Sequence, residues 1–432
     1  MSRPSDRVVA RRSPSCQAIT PYLVTCWGPS NCHTGSVPHF EPFRALRYAP
    51  SVPLDLVVAP PYDVLSQDER NRLAAQHERN IVHIDVPAGF GLDRYHHASA
   101  QLDAWIADGT IVSDAEPSFT IYRMRFVDES GIERTTVGLI GALEVVDVGD
   151  GGVLPHERTT PKDATDRLEL TRATNANLSP VWGLSLRAGL TELLQEPAES
   201  VGGVFSRDGV DHKFERVTDA RRLVALSDAV SAHPVLIADG HHRYSVSRVH
   251  RNDVRLRTGH PDTPSELVMS YVAELSETNL SVGAIHRMYP STTSVELADL
   301  LATHFTIEPV DVVGNEMLAI MHTRGCLCLV RPDGSGALLT PRPDAFAGVR
   351  DLDSARLESV FSGRDVDVVY QHGVDRVKQR LKEEGGSAIL IRPVSISEII
   401  RTATEGLLMP PKSTFFTPKL LTGPVMRTLA NP

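Results

Sequence analysis

The stretch VLIADGHHRY, Val235 to Tyr244, decides how this sequence folds and where its chemistry lies. An apolar run typical of a buried strand stops at Asp239, and a helical pattern begins directly after Gly240. Because a strand that turns at once into a helix needs an unusual backbone conformation, a glycine is expected there. The first helical turn then has backbone N–H groups without intrahelical partners and carries partial positive charge. The stretch therefore predicts an anion-binding site, with phosphate as the typical ligand.

The strand is followed by polar side chains with no apolar residue between them, namely Asp239, His241, His242 and Arg243. The histidines and the arginine add hydrogen-bond donors for a phosphate, which arginine can bind with two parallel bonds. A carboxylate is costly beside phosphate unless it binds a divalent cation, positions the substrate or takes a proton, so Asp239 indicates chemistry rather than simple ligand storage. In the structural alternative, Asp239 caps the helix and the histidines pack locally. Zinc is disfavoured because adjacent histidines point in different directions.

The composition is that of an ordinary globular protein. The 432 residues are 41% hydrophobic and 23% charged, and no apolar run is long enough to span a bilayer. The formal net charge of −10 argues against nucleic-acid binding, which needs a basic surface. The five cysteines match neither a disulfide framework nor a zinc spacing, and reduced thiols indicate a cytoplasmic protein. We expect no nucleic-acid or membrane partner and leave the oligomeric state open.

Strand and helix patterns in mixed order predict an α+β fold. Strand-type runs lie at 54–59, 81–86, 121–126, 137–148, 235–238, 266–275 and 388–391, and helical patterns at 67–76, 98–107, 294–304 and 373–384. Composition and loop signals predict a disordered leader at 1–38, a mixed N-terminal domain at 39–150, a central phosphate-binding catalytic core at 151–290 and a C-terminal region at 291–432. The C-terminal region is expected to fold back and bring Lys412 to the site.

The segment from Leu154 to Trp182 holds a second polar cluster that includes His156, Glu157 and Arg167. Cations flank Glu157 and would keep it ionised, so it suits a general base only if burial raises its pKa again. A solvated helix face with local Asp and Arg pairs, which stabilise little, is an equally good interpretation.

Two proline-bounded segments supply the remaining candidates. PPYDV, Pro60 to Val64, places Tyr62 and Asp63 at a rigid turn, where binding residues are common, although an Asx turn explains Asp63 almost as well.

PPKSTFFTPK, Pro410 to Lys419, offers Lys412 to a ligand. It lacks the upstream glycines of a P-loop, and docking of the chain terminus by its two phenylalanines is the competing interpretation.

Five segments in one order resemble the DUF1015 family: PPYDV, HERTTPKDATDRL, ADGHHRY, the tripeptide IHR at 285–287, and MPPKSTFFTPK. The resemblance extends from about Phe43 to the C-terminus. Ile285 departs from it, since a threonine is expected before the His-Arg pair.

A more remote resemblance concerns function. LPHE, Leu154 to Glu157, together with a strand that ends in DGHHR, is similar to the paired motifs of free serine kinases in the ParB and sulfiredoxin-like group. The resemblance implies a ParB/sulfiredoxin-like phosphate-binding core in which Glu157 is the base for the substrate hydroxyl. The DGHHR residues would hold nucleotide phosphate and Mg²⁺. The two motifs lie 239 − 157 = 82 residues apart, about twice the expected spacing, which implies an insertion.

The sequence thus predicts a kinase-like phosphotransferase that moves phosphate from ATP, ADP or pyrophosphate to the hydroxyl of a small metabolite such as serine. A phosphatase or other hydrolase using the same groups, or a non-catalytic nucleotide-binding regulator, is the alternative. The predicted catalytic residues are Glu157, Asp239 and His242; those for phosphate or nucleotide are Gly240, His241, Arg243, Lys412 and Arg167; those for substrate are Tyr62, Asp63, His156, His286 and Arg287.

Overall fold

The computed structural model describes residues 37–128, 131–157, 161–276 and 280–430. The predicted leader, residues 1–38, lies outside this part of the chain except for its last two residues. The helices are α1 (Leu54–Val57), α2 (Gln67–Gln76), α3 (Val82–Asp85), α4 (Asp93–Ala107), α5 (Pro161–Thr174), α6 (Leu190–Leu193), α7 (Ala220–Ser231), α8 (His241–Thr258), α9 (Ser294–Leu301), α10 (Met317–Arg324), α11 (Asp353–Phe361), α12 (Val374–Glu384) and α13 (Ile396–Thr404).

The strands are β1 (Phe40–Glu41), β2 (Leu46–Tyr48), β3 (Ile111–Ser113), β4 (Phe119–Val127), β5 (Glu133–Glu144), β6 (Val153–Leu154), β7 (Ala176–Asn177), β8 (Val181–Ser185), β9 (Glu199–Arg207), β10 (Val210–Val217), β11 (Val235–Asp239), β12 (Leu267–Glu274), β13 (Ser281–Gly283), β14 (Ile285–Tyr289), β15 (Phe305–Val310), β16 (Leu327–Val330), β17 (Gly336–Pro341), β18 (Val369–His372), β19 (Ser387–Leu390), β20 (Phe415–Thr417) and β21 (Arg427–Thr428). The predicted α+β class is therefore confirmed.

A nine-stranded mixed sheet forms the larger part of the fold, with the order β6-β11-β8-β12-β5-β4-β10-β9 and β1 beside β5. The β6–β11 and β8–β12 pairs are parallel. Successive residues of β11 point to opposite faces, as in any strand. Val235 and Ile237 pack in the layer that contains α7, whereas Leu236 and Ala238 pack with α13 and Phe416. The C-terminal segment thus covers one face of the sheet.

A six-stranded sheet lies within residues 285–390, in the order β15-β17-β16-β19-β14-β18. Side chains of α9 and α11 pack in the apolar layer on one face, and those of α10 and α12 pack on the other. The larger sheet takes strands from both sides of residue 150. The domain boundaries proposed from the sequence remain predictions. No helix in the described residues combines the length and apolar character needed to cross a membrane.

Local sequence signals predicted most elements near the site and failed at two short ones. Ser66 caps α2 with a reciprocal capping box, as the pattern indicated. The run 54–59 was predicted as a strand, but it begins with the single turn α1, in which Leu54 and Val57 share the buried side. The run 81–86 was also predicted as a strand and is the single turn α3. A single helical turn is too short to show a helical period, so the sequence did not distinguish these turns from strands.

Candidate functional site

Two parallel strands bring the two separated sequence motifs to one edge of the larger sheet. Val153 and Leu154 of β6 pair with Val235 and Leu236 of β11. Because parallel strands end at the same edge, the residues that follow β6 lie beside the end of β11. His156 Nδ1 is 2.6 Å from the carbonyl oxygen of Ile237, which ties the two motifs together. The long spacing between them in sequence therefore does not separate them in space.

Gly240 makes the turn between β11 and α8. Its φ is +86°, in the left-handed region, and it provides no side-chain cap for the helix. A Cβ at this position would lie 3.0 Å from the guanidinium carbon of Arg243, so glycine also allows this arginine to pack closely. The first turn of an 18-residue helix is therefore directed at the edge where the motifs meet, with the positive end of its dipole.

Asp239 is held between two cations. Its Oδ2 accepts from Arg243 Nη2 at 2.7 Å, and its Oδ1 accepts from Lys419 Nζ at 2.5 Å. Burial acts to raise the pKa of Asp239, but Lys419 and Arg243 outweigh it and hold the pKa well below its usual range. Arg243 also donates to the carbonyl oxygen of Pro180. Asp239 is thus an ionised carboxylate that fixes the position of both cations.

The buried imidazole of His156 packs edge to face against the half-buried imidazole of His241, behind this ion cluster. The rings of His156 and His241 are 4.8 Å apart. Burial lowers the pKa of His156 to about 4, and burial together with His156 lowers that of His241 well below its usual value. His156 is therefore neutral: its Nδ1–H donates to the carbonyl of Ile237, and Nε2 accepts from the Thr414 hydroxyl at 2.9 Å. Among the described residues, the buried Nε2 of His241 has no hydrogen-bond partner.

The carboxylate of Glu157 binds the backbone of the C-terminal segment. The N–H of Lys412 donates to Oε1 at 2.7 Å, while those of Ser413 and Thr414 donate to Oε2 at 3.1 and 3.4 Å. Lys412 adopts a left-handed φ of +56°, which lets consecutive N–H groups converge on one anion. Burial raises the pKa of Glu157, and the N–H donors of Lys412 and Ser413 act against that rise.

Arg287 holds the same segment from the smaller sheet. Its guanidinium donates to the carbonyl oxygens of Lys412 at 2.9 Å and of Pro411 at 3.5 Å. The Lys412 side chain itself extends to within 4.0 Å of Asp63 Oδ2 and is 38% exposed. Arg287 therefore supports the loop that presents Lys412, while Lys412 is accessible to a ligand.

Arg167 and Tyr62 lie beside the site in a network of ion pairs. Arg167 donates to Asp85 Oδ1 at 3.1 Å and to Asp166 Oδ2 at 2.8 Å. Its guanidinium stacks over the Tyr62 ring at 4.2 Å from the centroid. The charges of Arg167 and Arg243 both act to lower the pKa of Asp85. Because Arg243 lies in the first turn of α8, this network of ion pairs borders the N-terminus of that helix.

The structure groups most of the predicted site residues and separates one. Glu157, His156, Asp239, Gly240, Arg243, His241 and Lys412 share a site, with Asp63, Tyr62 and Arg167 at its border and Arg287 behind it. His242 follows His241 in the first turn of α8. His286 is instead buried in the smaller sheet, where the N–H of Ile391 donates to its Nδ1 at 3.3 Å.

Sequence reasoning did not select Lys419, Thr414 or Asp85. The first two belong to the PPKSTFFTPK segment, whose two lysines and two hydroxyls are evident in the sequence but of which only Lys412 was assigned to the site. A second lysine at the other end of that segment was the available signal. Asp85 had none, because it ends a run that reads as a buried strand.

Mg²⁺ at Asp239 stays a prediction. Both of its carboxylate oxygens accept from cationic donors. Within the described part of the chain, no group of three or more His, Cys, Asp or Glu side chains is placed to hold a metal ion. The residues present do not fit a metal ion held by the protein alone.

The fold and the site together define an α+β protein in which a strand–glycine–helix junction is surrounded by cationic side chains. The chain matches the family described as "Protein of unknown function (DUF1015)" over residues 40–355, and it belongs to that family. A search of the curated proteins found no match.

Several solved structures share distant similarity with the chain. A free serine kinase in complex with AMP is 11% identical, with a TM-score of 0.37, covering 64% of this chain and 88% of its own. A conserved hypothetical protein from Pyrococcus furiosus is 10% identical, with a TM-score of 0.35, covering 61% and 87%. SbnI with a C-terminal truncation, from Staphylococcus aureus, is 13% identical, with a TM-score of 0.37, covering 66% and 85%.

Proposed function

We propose that the protein is a kinase-like phosphotransferase that moves phosphate from ATP, ADP or pyrophosphate to the hydroxyl of a small metabolite. One observation carries the proposal: the N-terminus of α8, which follows the turn at Gly240, is surrounded by the cationic side chains of Lys412, Lys419 and Arg243. In the same place lies the buried Nε2 of His241, which has no hydrogen-bond partner within the part of the chain that the structure describes. A helix terminus with cationic side chains is typical of phosphate binding.

The phosphate half of the site is preorganised. Asp239 holds Lys419 and Arg243 in fixed positions through ion pairs, so these cations need little reorganisation when an anion binds. The Lys412 side chain, 38% exposed, adds a charge that can reach the ligand. A polyphosphate of two or three negative charges matches this set better than a single carboxylate does.

Glu157 is suited to receive the proton of the acceptor hydroxyl. A carboxylate has about four lone-pair positions, and three backbone N–H groups occupy three of them. The remaining position is on Oε1, which has the single donor Lys412 among the described residues. Burial keeps the pKa of this carboxyl raised, which makes Glu157 a better base than an exposed glutamate.

The transfer balances without a protein-held metal ion. A bond forms between the acceptor oxygen and phosphorus while the bond from phosphorus to the leaving phosphate oxygen breaks. The hydroxyl proton passes to Glu157, and the developing negative charge faces the α8 terminus and the lysines. Mg²⁺, if required, would arrive with the nucleotide.

The experiment follows phosphorus NMR of the protein with Mg²⁺, one donor at a time, and a mixture of hydroxylated amino acids and sugars. A new phosphate ester is the expected result. The Glu157→Gln variant should lose turnover by about 10²- to 10⁴-fold and retain nucleotide affinity. The control Glu116→Gln alters an exposed glutamate and should leave both unchanged. No ester with any donor would refute the transferase, and free phosphate alone would indicate a hydrolase.

A second function, nucleotide binding without turnover, is favoured by one observation. Both candidate acids already bind groups of this chain: Glu157 binds three backbone N–H groups, and Asp239 binds two cations. A regulator needs only such a stable binding surface. In that case ATP or ADP binds in calorimetry, while phosphorus NMR shows neither ester nor free phosphate.

A further inference from the structure

The aromatic ring of Phe415 contacts both the ion cluster of Asp239 and the smaller sheet. The ammonium group of Lys419 is 4.3 Å from the centre of this ring, a distance at which the electrons of the ring face attract a cation. The imidazole of His372, in β18 of the smaller sheet, stacks on the same ring, with the ring centres 4.2 Å apart and the planes 27° apart. Phe415 therefore joins a cation of the site to a strand of the other sheet.

Backbone pairing and close packing hold the ring of Phe415 in place. β20 pairs with β13, and Phe415 lies opposite Gly283. A Cβ at Gly283 would lie 2.8 Å from Cε1 of His372 and 3.6 Å from Cδ1 of Phe415, so the absence of a side chain there lets the two rings pack together. Nδ1 of His372 donates to the carbonyl oxygen of Ala284 at 3.2 Å. The stack of the two rings therefore exists before any ligand binds.

Lys419 needs such a contact because its charge lies at the end of a flexible chain. Its ion pair with Asp239, at 2.5 Å, fixes the distance from the ammonium group to one carboxylate oxygen but not the direction of approach. The ring of Phe415 restricts that direction, and the lysine side chain is only 14% exposed, so water competes little with the attraction. Asp239 and Phe415 together fix both the distance and the direction of the charge.

We infer that Phe415 is a positioning residue, which holds the charge of Lys419 toward the anion at the N-terminus of α8 and makes the smaller sheet part of the phosphate site. The inference rests on the anion site of the proposed function and adds a role for the second sheet. The contacts from His372 through Phe415 to Lys419 couple the position of β18 to a group that binds phosphate. Without the ring, Lys419 must be ordered by the ligand itself, which weakens binding.

The test measures the affinity of pyrophosphate for four proteins by calorimetry. Phe415→Leu should bind about 3- to 10-fold more weakly than the wild type, the effect of one cation–π contact, and Phe415→Tyr should restore the affinity because it keeps the ring. The control Phe346→Leu changes another half-buried ring, which packs in the smaller sheet and contacts the cation of Arg356 at 5.7 Å. It should bind pyrophosphate as the wild type does.

A double-mutant cycle separates positioning from packing. If Phe415 acts through Lys419, the variant that combines Phe415→Leu with Lys419→Gln should bind pyrophosphate no more weakly than Lys419→Gln alone. Losses that add up in the double variant would overturn the inference. Unchanged affinity in Phe415→Leu, or an equal loss in Phe346→Leu, would overturn it as well.

A measurement without ligand shows whether the contact forms in solution. Proton NMR should find the methylene group next to the Lys419 nitrogen shifted upfield by the ring in the wild type and in Phe346→Leu, but not in Phe415→Leu. A wild-type signal at the position of an unstructured lysine would contradict the inference. If the shift is present and pyrophosphate does not bind, the anion site and the role of Phe415 in it are both wrong. If pyrophosphate binding depends on Phe415 while no ester ever forms, the transferase alone is wrong.

Discussion

Replacing Gly240 with alanine tests the anion site through its backbone. The residue has a left-handed φ of +86°, which costs an alanine about 1–2 kcal/mol. The new Cβ would also lie 3.0 Å from the Arg243 guanidinium, so the guanidinium must shift by a few tenths of an ångström, which perturbs its 2.7 Å bond to Asp239. A charged hydrogen bond contributes about 1.5–3 kcal/mol, so we expect pyrophosphate and ATP to bind about 10- to 100-fold more weakly.

The control for this variant lies at the other end of the same helix. Gly259 follows α8 with a φ of +71° and has open space around a Cβ. Gly259→Ala should therefore lower the free energy of unfolding by a similar amount and leave ligand affinity unchanged. Urea unfolding and isothermal titration calorimetry measure the two quantities. If Gly240→Ala binds pyrophosphate as the wild type does, or if both variants lose it equally, the α8 terminus is not the anion site.

Two further predictions concern charges in the site. Lys419→Gln removes one of the two cations paired with Asp239 and should weaken pyrophosphate binding about tenfold. The control Lys382→Gln changes an exposed lysine of α12 and should leave pyrophosphate affinity unchanged. If calorimetry gives the two variants equal affinities for pyrophosphate, the prediction is wrong. Burial holds the pKa of His156 at about 4, below its unfolded value of about 6.5. Its contribution to stability is therefore complete above about pH 6.5 and is lost as the pH falls toward 4, by about 3 kcal/mol. Nitrogen-15 NMR should find its ring neutral at about pH 5, and a titration midpoint near 6.5 would contradict the buried assignment.

Local sequence determines the strand–glycine–helix junction at Gly240, and for that reason the junction could be predicted. The apolar run of β11, the glycine and the start of α8 follow one another in ten residues, Val235 to Tyr244. Each step depends on its neighbours in the chain: strand propensity, the left-handed turn at Gly240, and the free N–H groups of a helix start. The identification of this segment as a strand followed directly by a helix is confirmed.

Long-range contacts determine the rest, and a single sequence does not show them. The partners of Glu157 lie 255 to 257 residues away, so the pattern around it could not distinguish a base from a solvated helix face. Lys419 reaches Asp239 across 180 residues. Asp85 ends a run in which Ile81, Val82 and Ile84 are fully buried. Such an apolar run resembles a buried strand, so the sequence showed neither the helical turn nor the ion pair between Asp85 and Arg167.

The contact between Glu157 and the 412–414 backbone has a consequence for synthesis of the protein. All nine strands of the larger sheet lie between residues 40 and 274, so they leave the ribosome well before the segment that holds Glu157 and Asp239 in place. A nascent chain that stalls, or a product clipped before residue 409, would contain the whole sheet yet lack Lys412, Lys419 and the N–H groups for Glu157. Such a product would also expose the face of the sheet that Met409 and Phe416 cover. The segment from residue 409 to 419 therefore completes both the packing of the sheet and the site.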